Sequence, residues 1–452
     1  MADWPLLPSG TRVNLQTGHV QAELEAAGTQ YLRVLWCDHA GVIRARSVRV
    51  RQLDGVRLSI PESSFGLPVM GDHVAEGAGL GPVGEVELAP DWETLQPLPY
   101  APGEAQVIGD LRREGRAWAL CPRAFLNEQI ARLAAQGLSV LVAFENEFAL
   151  LRRTWDAFEP LDAGGQGVAG RLNAARPFLH AFTAALEVQG ILPLVYHPES
   201  GAGGHELTIR PSEALTSADG QLVFRETARG VAAQQGLTAS FVPTVTAGGP
   251  GNTCHINLSL WYGGENVTGD LHGVGGLSGV ARAFTAGVLA HLPGLCALTM
   301  PSHSSYTRLA AAGGASRSWG TANEAVAVRV SAGAAGASHF ELRTVDGSAN
   351  PYLALGALIA AGLDGVERST ALPPETTVDP SGFSDADRKR RGVDLLPSTL
   401  DEAVRALEHD AVLLAALGPV RAQAYLAVRR AEWAALKDVS LADELRLLAE
   451  RY

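Results

Sequence analysis

The sequence has few of the features that place a chain outside the cell, in a membrane or on nucleic acid. Its four cysteines are far apart and form no CxxC pair, which indicates a reduced chain without disulfides or structural zinc. The amino-terminal sequence does not show the basic region followed by an apolar core that marks a signal peptide. The apolar stretches at 287–300 and 352–363 are too short to cross a bilayer. We therefore predict a cytoplasmic protein without a membrane partner.

Positive charge is also scarce. The 452 residues include 36 Lys and Arg against 48 Asp and Glu, so the formal net charge is −12. The longest basic run is RKRR at 388–391. Because nucleic-acid binding depends on clustered basic side chains, this composition argues against nucleic acid as the main partner. With 46% hydrophobic and 19% charged residues, the chain has the composition of a globular protein.

Helix and strand patterns predict an α+β protein in two parts. Residues 1–115 are rich in strand patterns broken by Gly and Pro, with strand pairs predicted over 31–50 and 84–109. Residues 116–452 mix strands and helices, and Asn350-Pro351 favours a helix start, with Asn as the cap and Pro in the first turn. Towards the end we predict a mobile loop over 373–396 and helices over 400–416, 420–436 and 441–451.

Polar side chains recur on one face of several predicted strands. In TCHINLSL at 253–260, alternation places His255, Asn257 and Ser259 on one face and apolar residues on the other. Glu145 and Glu147 also share a face, and adjacent carboxylates repel each other unless a cation or solvent relieves them. A single strand of this kind is best explained by a solvated face. Four such strands together indicate a common site.

The acidic residues of these strands suit a metal-dependent enzyme. Hard cations such as Mg²⁺ or Mn²⁺ prefer oxygen ligands with an occasional imidazole, so the pattern predicts an enzyme that uses metal ions to handle phosphate groups. Other motifs fail: GLGPVG at 79–84 precedes a strand where a nucleotide-binding loop needs a helix, and HE at 205–206 lacks the second His of HExxH. The candidate ligands are Glu145, Glu147, Glu199, Glu206, His255 and Glu341.

The order of these motifs resembles the glutamine synthetase family over nearly the whole chain. Asp38 and Gly41, with Pro90-Asp91 further on, resemble its amino-terminal β-grasp domain. The resemblance implies such a domain over 1–115 and a catalytic domain over 116–452, with a curved antiparallel sheet that carries helices. The matching catalytic segments are FENEF at 144–148, ESGAGGHE at 199–206, GNTCHINLSL at 251–260, SSYTRL at 304–309 and ELRTVDGSANPYL at 341–353.

The resemblance implies a role for each of these residues. One metal, near the acyl acceptor, would be held by Glu147, Glu199 and Glu206. A second metal, bridging the phosphates of ATP, would be held by Glu145, His255 and Glu341. The remaining implied roles are ATP contacts for Arg329, Ser259 and Asn257, substrate binding for Arg308, Arg343 and Gly251, catalysis for Arg308 and Arg329, and a catalytic Asp38 that faces the site of a neighbouring subunit. Glu324, where the chain departs from the family, is predicted to bind a cationic amine substrate such as a polyamine.

The chain departs from the family pattern where the amine would react. The family's catalytic Glu, which binds and deprotonates ammonium, falls on Gly314, and the Arg of its Asn-Arg pair falls on Glu324. The residues that the resemblance implies for binding the metals and the ATP phosphates are therefore all present, whereas residues of the acceptor and amine pockets differ from the family pattern. Smaller departures are Pro250, Gly204 and Thr307.

These departures favour an ATP-dependent ligase that activates a carboxylate, such as the γ-carboxyl group of glutamate, as an acyl phosphate for attack by an amine other than ammonia. An ordinary glutamine synthetase, a non-catalytic nucleotide-binding paralogue and, last, a phosphoryl transferase acting on a guanidino group remain alternatives. The implied partners are ATP, a small carboxylate and a small amine. The resemblance also implies a ring-shaped homo-oligomer such as a dodecamer.

Overall fold

The structure, a computed structural model, describes residues 17–71, 73–333 and 337–452 and has the α+β architecture expected from the sequence. A first mixed sheet of six strands has the order β2-β1-β5-β4-β3, with β6 paired to β5. The elements of this part are α1 (Thr17–Ala26), β1 (Tyr31–Cys37), β2 (Ile43–Arg49), β3 (Ser59–Pro61), β4 (Glu85–Pro97), β5 (Glu104–Arg113) and β6 (Arg116–Ala117).

Both predicted amino-terminal strand pairs are confirmed. Strands β1 and β2 pair in antiparallel register from Tyr31↔Arg49 to Cys37↔Ile43, and β4 pairs with β5. The turn between β1 and β2 requires glycine, because Gly41 has φ +83° and a Cβ there would lie 2.2 Å from the carbonyl oxygen of Ser348. The hairpin is thereby packed closely against the second part of the chain.

The second sheet has eleven strands, and the long strand β7 lies near its centre. Its main path is β15-β16-β17-β13-β7-β10-β9. The resemblance implied an antiparallel sheet. The pair β15–β16 is parallel, however, so the sheet is mixed. Its strands are β7 (Leu138–Arg153), β8 (Phe158–Pro160), β9 (Pro193–Pro198), β10 (Gly204–Ile209), β11 (Ser212–Glu213), β12 (Thr238–Ser240), β13 (Cys254–Tyr262), β14 (Glu265–Asn266), β15 (Trp319–Thr321), β16 (Val328–Ser331) and β17 (His339–Leu342).

Helices cover the apolar face of this sheet and form the main core. Two of them, α5 and α7, approach so closely that only glycine fits: a Cβ on Gly287 would lie 2.3 Å from the oxygen of Ala361, and one on Gly365 would lie 2.1 Å from that of Ala283. The helices are α2 (Pro122–Ala135), α3 (Ala169–Val188), α4 (Ala214–Gln234), α5 (Gly279–Thr299), α6 (His303–Ala311), α7 (Pro351–Glu367), α8 (Asp385–Arg391), α9 (Leu400–Glu408), α10 (Ala411–Leu417), α11 (Pro419–Leu436) and α12 (Leu441–Leu448).

Two predictions about the carboxy-terminal third are revised. The helix predicted over 400–416 is broken into α9 and α10, because Asp410 caps α10 by accepting hydrogen bonds from the backbone N–H groups of Val412 and Leu413. The segment 373–396, predicted as a mobile loop, contains α8. The helix predicted after Asn350 is confirmed, since the Asn350 side chain caps α7.

Among the described residues, α5 is long and apolar enough to cross a membrane, and the bent pair α10–α11 passes the same test jointly. About 67% of the α5 window is buried inside the chain. That burial is typical of the core helix of a globular domain.

Candidate active site

The strand register brings the predicted ligands to one face of the second sheet. On β7, Glu145 lies opposite His255 of β13, and Glu147 lies opposite Glu206 of β10. On the other side of β13, Glu341 of β17 lies opposite Asn257. The alternate positions of β7, such as Phe144 and Phe148, are buried in hydrophobic clusters. The alternation of polar and apolar side chains predicted from the sequence is therefore present in β7, and it places the acidic residues on one face of the sheet.

One group of ligand atoms, here the Glu341 cluster, consists of Glu145, His255 and Glu341, whose atoms lie within 4.8 Å of one another. The His255 Nδ1 atom is 2.9 Å from Glu341 Oε1 and 3.3 Å from Glu145 Oε2. Two arginines share the Glu341 carboxylate: Arg343 Nη1 lies 2.6 Å from Oε1, and Arg329 Nε contacts Oε2. The Glu341 side chain is fully buried.

Opposite charges stabilise the ionised forms in the Glu341 cluster. Burial alone would raise the pKa of Glu341, but the hydrogen bond and charge of His255 and the two arginines lower this pKa to about 2. Burial alone would lower the pKa of His255, but its hydrogen bonds to Glu145 and Glu341 raise that pKa to about 9. The cluster is thus largely neutralised by its own cations.

A second group, here the Glu206 cluster, consists of His197, Glu199 and Glu206, also with ligand atoms within 4.8 Å of one another. The His197 Nε2 atom is 2.6 Å from Glu199 Oε1 and 4.0 Å from Glu206 Oε2. Burial, followed by the negative charges of Glu145, Glu147 and Glu199, raises the pKa of Glu206 to about 8. In contrast to Glu341, this carboxyl group has no arginine partner among the described residues.

Glu147 lies beside the Glu206 cluster, and its carboxylate is hydrogen-bonded to Thr253. Its Oε2 atom accepts a hydrogen bond of 2.8 Å from the backbone N–H of Thr253, and Oε1 contacts the Thr253 hydroxyl group. The structure therefore gathers Glu199 and Glu206 as predicted, and places His197 where the sequence predicted Glu147. Both clusters have the oxygen and imidazole donors that Mg²⁺ or Mn²⁺ accepts, so the donor chemistry fits divalent cations.

A cavity of about 420 Å³, here the Ser259 cavity, opens beside the Glu341 cluster. The residues predicted to bind nucleotide, Asn257 and Ser259, line it together with Glu145 and Trp261. Asn257 donates a 2.9 Å hydrogen bond to Glu145, and the Trp261 Nε1–H group donates one of 2.9 Å to the Ser259 hydroxyl oxygen. An indole and small polar groups next to a metal cluster suit a flat, polar ligand.

A second cavity, of about 350 Å³ and here called the Gly314 cavity, opens beside the Glu206 cluster. It combines both signs of charge, so it can receive an acid and an amine together. The described lining residues that bear on function are Glu147, Glu199, Gly251, Thr253, His255, Arg308, Gly313, Gly314, Glu324, Arg343, Asp379 and Arg388. A third cavity, of about 560 Å³, lies between β5 and α2 and is lined by none of the candidate ligands.

Arg308 points into the Gly314 cavity from α6 and keeps unused hydrogen-bonding capacity. It is 6% exposed, and its Nε–H group has no hydrogen-bond partner. Gly251, at φ +70°, gives it room, because a Cβ there would lie 2.8 Å from Arg308 Cγ. A buried guanidinium with free donors is a ready site for a substrate carboxylate.

Arg329 connects Glu324, in the wall of the Gly314 cavity, to the Glu341 cluster. Arg329 Nη1 lies 3.4 Å from Glu324 Oε1, while its Nε contacts Glu341. The Glu324 side chain is 80% exposed. It therefore presents a carboxylate to whatever enters the Gly314 cavity.

Asp38 belongs to neither cluster and lines neither cavity of its own chain, and its place at the site of a neighbouring subunit stays a prediction. Its side chain is fully buried inside the chain. One carboxylate oxygen accepts a 3.0 Å hydrogen bond from the backbone N–H of Val42, and the other lies 2.7 Å from Arg44 Nε. Asp38 thus stabilises the β1–β2 turn.

Comparison with known proteins gives the same family as the motifs. The family model described as the catalytic domain of glutamine synthetase matches residues 119–447. The chain belongs to the glutamine synthetase family. Members of this family are ATP-dependent ligases that use divalent metal ions, so the chain is an ATP-dependent carbon–nitrogen ligase.

Relatives cover nearly the full chain. The gamma-glutamylpolyamine synthetase GlnA3 of Streptomyces coelicolor is 36% identical over 91% of this chain and 91% of its own length. Type-1 glutamine synthetase 1 of Dictyostelium discoideum is 31% identical over 94% of this chain and 90% of its own length. A solved structure of a novel glutamine synthase homologue covers 94% of this chain and 99% of that one, with a TM-score of 0.83 and 30% identity. GmaS in complex with ADP covers 94% and 98%, with a TM-score of 0.82 and 30% identity.

Sequence reasoning missed four contributors to the site. His197 precedes Glu199 by two residues on β9, and this spacing could have identified it. Thr253, which holds the Glu147 carboxylate, lies at the start of the strand pattern that was recognised. Arg388 lies on the short helix α8 and Asp379 in the irregular stretch before it, and no periodicity could have placed them at the cavity.

Proposed function

We propose that this ligase joins a carboxylate, the γ-carboxyl group of glutamate in the first instance, to a cationic amine larger than ammonia. The observation that carries the proposal is the wall of the Gly314 cavity. Ideal Cβ atoms on Gly313 and Gly314 would meet no atom within 4 Å, so the space there is open. Glu324 adds a negative charge to the same cavity, which suits an ammonium group.

Two cations would complete the reacting centre. Glu145, His255 and Glu341 would hold one, and Glu199 and Glu206 would hold the other with His197 or Glu147. Bound there, divalent ions offset negative charge on the phosphoryl group that passes from ATP to the carboxylate. The raised pKa of Glu206 supports this arrangement, because three nearby carboxylates repel its charge and a cation would remove that repulsion.

The two cavities divide the substrates between them. ATP would occupy the Ser259 cavity, where Ser259 and Asn257 would contact the nucleotide and Arg329 its phosphates. The acid would enter the Gly314 cavity and bind Arg308 and Arg343 near the backbone of Gly251. This division places the transferred phosphoryl group between the Glu341 and Glu206 clusters, and the incoming amine on the side of Gly314 and Glu324.

The similarity to a gamma-glutamylpolyamine synthetase supports the choice of a polyamine as the first amine to test. A glutamine synthetase activity is the second candidate, because the Dictyostelium discoideum relative and a Thermococcus kodakarensis enzyme that is 35% identical over 73% of this chain carry that name. The absence of a carboxylate at position 314 argues against it. A nucleotide-binding paralogue without turnover would leave seven ligand-type side chains in and beside the two clusters without a purpose, since buried carboxylates are costly when unpaired.

The decisive experiment is a phosphate-release assay with purified protein, ATP, glutamate and Mg²⁺ or Mn²⁺. Putrescine, spermidine, methylamine and ammonia would be compared at equal concentrations, with mass spectrometry of the product. We expect phosphate release with a polyamine at least about tenfold faster than with ammonia. Fastest release with ammonia, and glutamine as the product, would establish the second candidate. ATP binding without release for any amine would establish the paralogue.

A cytoplasmic location and a ring-shaped homo-oligomer are further proposals that follow from family membership. Light scattering of the purified protein tests the assembly. A monomer at working concentration would contradict the ring.

A further inference from the structure

The segment 373–396 is fixed to the candidate site at both ends. At its start, the Trp319 indole N–H donates to the Pro373 oxygen at 2.8 Å, and Asn323 Nδ2 donates to the oxygens of Thr376 and Val378. At its end, the backbone N–H of Leu396 donates to the oxygen of Ala315 at 2.9 Å. Of the attachment points, Ala315 lines the Gly314 cavity, and Asn323 directly precedes the lining residue Glu324. The position of α8 over this cavity is therefore set by hydrogen bonds.

Helix α8 carries four consecutive basic residues, and only Arg388 among them lines the Gly314 cavity. Its side chain is 21% exposed, whereas that of Arg390 is 67% exposed. Lys389 and Arg391 are exposed as well, and the Arg391 guanidinium lies over the Phe383 ring at 4.9 Å. The helix thus turns one cation of the run inward and leaves the others in solvent.

Arg388 is the one of the three arginines among the described lining residues that has no buried carboxylate partner. Arg343 is bound to the buried Glu341, and Arg308 has the fully buried Asp346 at 3.9 Å. The nearest carboxylate to Arg388 is that of Asp385, 3.7 Å away and fully exposed. The buried Nε–H group of Arg388 has no hydrogen-bond partner. A desolvated donor without an acceptor is costly, and a ligand oxygen would remove that cost.

We propose that Arg388 is a further substrate-binding residue, which donates charge-assisted hydrogen bonds to an oxyanion in the Gly314 cavity. The oxyanion is either a carboxylate of the acid substrate or the phosphoryl group transferred to it. This assignment rests on the proposed ligase function, which requires both groups in this cavity. It gives the segment 373–396 a role in binding, because its hydrogen bonds to β15 hold the guanidinium in place.

The test measures oxyanion binding directly, so its result does not depend on the identity of the amine. Thermal unfolding of the full-length protein with ADP and Mn²⁺ would be followed as inorganic phosphate or glutamate is titrated. The variants are Arg388→Ala, Arg388→Lys and the matched control Lys389→Ala, which removes the same charge from the adjacent, exposed position.

For Arg388→Ala we expect the apparent affinity for one of the two ligands to fall about tenfold, the effect of losing one charge-assisted hydrogen bond. Arg388→Lys should recover part of it, and Lys389→Ala should bind as the wild type does. A loss for phosphate alone identifies the phosphoryl group, and a loss for glutamate alone identifies the carboxylate.

Three outcomes overturn the proposal. The first is equal ligand affinity in Arg388→Ala and Lys389→Ala, and the second is no stabilisation of the wild type by either ligand. The third is a ligand-free Arg388→Ala protein whose lower unfolding temperature accounts for the whole difference from the wild type. If the amine screen fails but phosphate binding depends on Arg388, the amine-ligase proposal fails and the Arg388 assignment stands.

Discussion

The two ligand clusters lie on neighbouring strands of one sheet, yet their electrostatics are opposite. In the Glu341 cluster, Arg329, Arg343 and His255 surround the carboxylate and lower its pKa to about 2. In the Glu206 cluster, burial and the charges of neighbouring acids raise the pKa of Glu206 to about 8. Without a metal, the lowered pKa of Glu341 keeps its carboxylate ionised, whereas the raised pKa of Glu206 favours its protonated form at neutral pH until a cation binds nearby. The same kinds of ligand can therefore serve as a structural ion network and as a metal-dependent one.

The largest effect should come from removing the central carboxylate of each cluster. Glu341→Gln leaves three buried or half-buried cations without their shared partner, so we expect metal-free protein to lose about 3 kcal/mol of unfolding free energy. Glu206→Gln removes a carboxylate that its neighbours repel, so metal-free protein should gain roughly 1–3 kcal/mol at pH 7. Urea denaturation in EDTA measures both.

Both substitutions should still reduce amine-dependent phosphate release by about 100-fold or more, because each removes a proposed metal ligand. Stability changes of the same sign in the two variants would break the comparison. Full activity in Glu206→Gln would remove that residue from the metal site.

Metal addition should sharpen the contrast. Mn²⁺ is expected to stabilise the wild type against unfolding, by about 2.7 kcal/mol when free metal is 100 times the dissociation constant. Because Glu206 gains most from a nearby cation, Glu206→Gln should weaken the metal-dependent stabilisation, with an affinity about 10- to 100-fold lower. Differential scanning calorimetry across a Mn²⁺ series, with Ca²⁺ as a comparison ion, provides the measurement. Unchanged unfolding temperatures in the wild type would contradict a metal role for either cluster.

A smaller effect is expected at the amine side of the Gly314 cavity. The Glu324 side chain is 80% exposed, so solvent screens its attraction for an ammonium group. Glu324→Gln should raise the KM for a polyamine by about two- to fivefold and leave the KM for ATP unchanged. Steady-state kinetics with Glu265→Gln, which alters an exposed carboxylate outside the lining of this cavity, is the control. An equal change in both variants would remove Glu324 from amine recognition.

The smallest effect concerns a histidine between two carboxylates outside the site. His291 Nδ1 is 2.8 Å from Asp410 and Nε2 is 3.1 Å from Asp364. Burial alone would lower the pKa of His291, but these hydrogen bonds raise it. A raised histidine pKa contributes stability that is complete below the unfolded value of about 6.5 and is lost as pH rises through the folded value.

We therefore expect His291→Gln to lose about 1 kcal/mol near pH 6 and less near pH 9. The exposed His409 provides a control in His409→Gln. Urea denaturation at both pH values, with and without Mn²⁺, should show no metal dependence at His291, because both ring nitrogens are already engaged. If His291→Gln lost the stabilisation by Mn²⁺, metal-dependent stability would not be a property of the two site clusters alone.

Much of this arrangement could be predicted from the sequence because it depends on strand alternation. Alternation alone placed His255, Asn257 and Ser259 on one face, and the structure confirms that face. Alternation cannot say how a carboxylate turns at the end of its side chain, so it missed the turn of Glu147 towards Thr253 and the entry of His197.

A further omission has a different physical cause, which is packing by residues distant in sequence. Arg388 looks like part of a solvated basic run, and only the hydrogen bonds of 373–396 to β15 turn it inward. Such outcomes depend on tertiary packing, which local patterns do not encode.

The most direct test of the account is a structure of the protein with ADP and Mn²⁺, with the ions located by anomalous scattering. The account predicts one Mn²⁺ bonded to Glu145, His255 and Glu341, and another bonded to Glu199 and Glu206 with His197 or Glu147. Active protein with nucleotide bound but no ion at either cluster would contradict it.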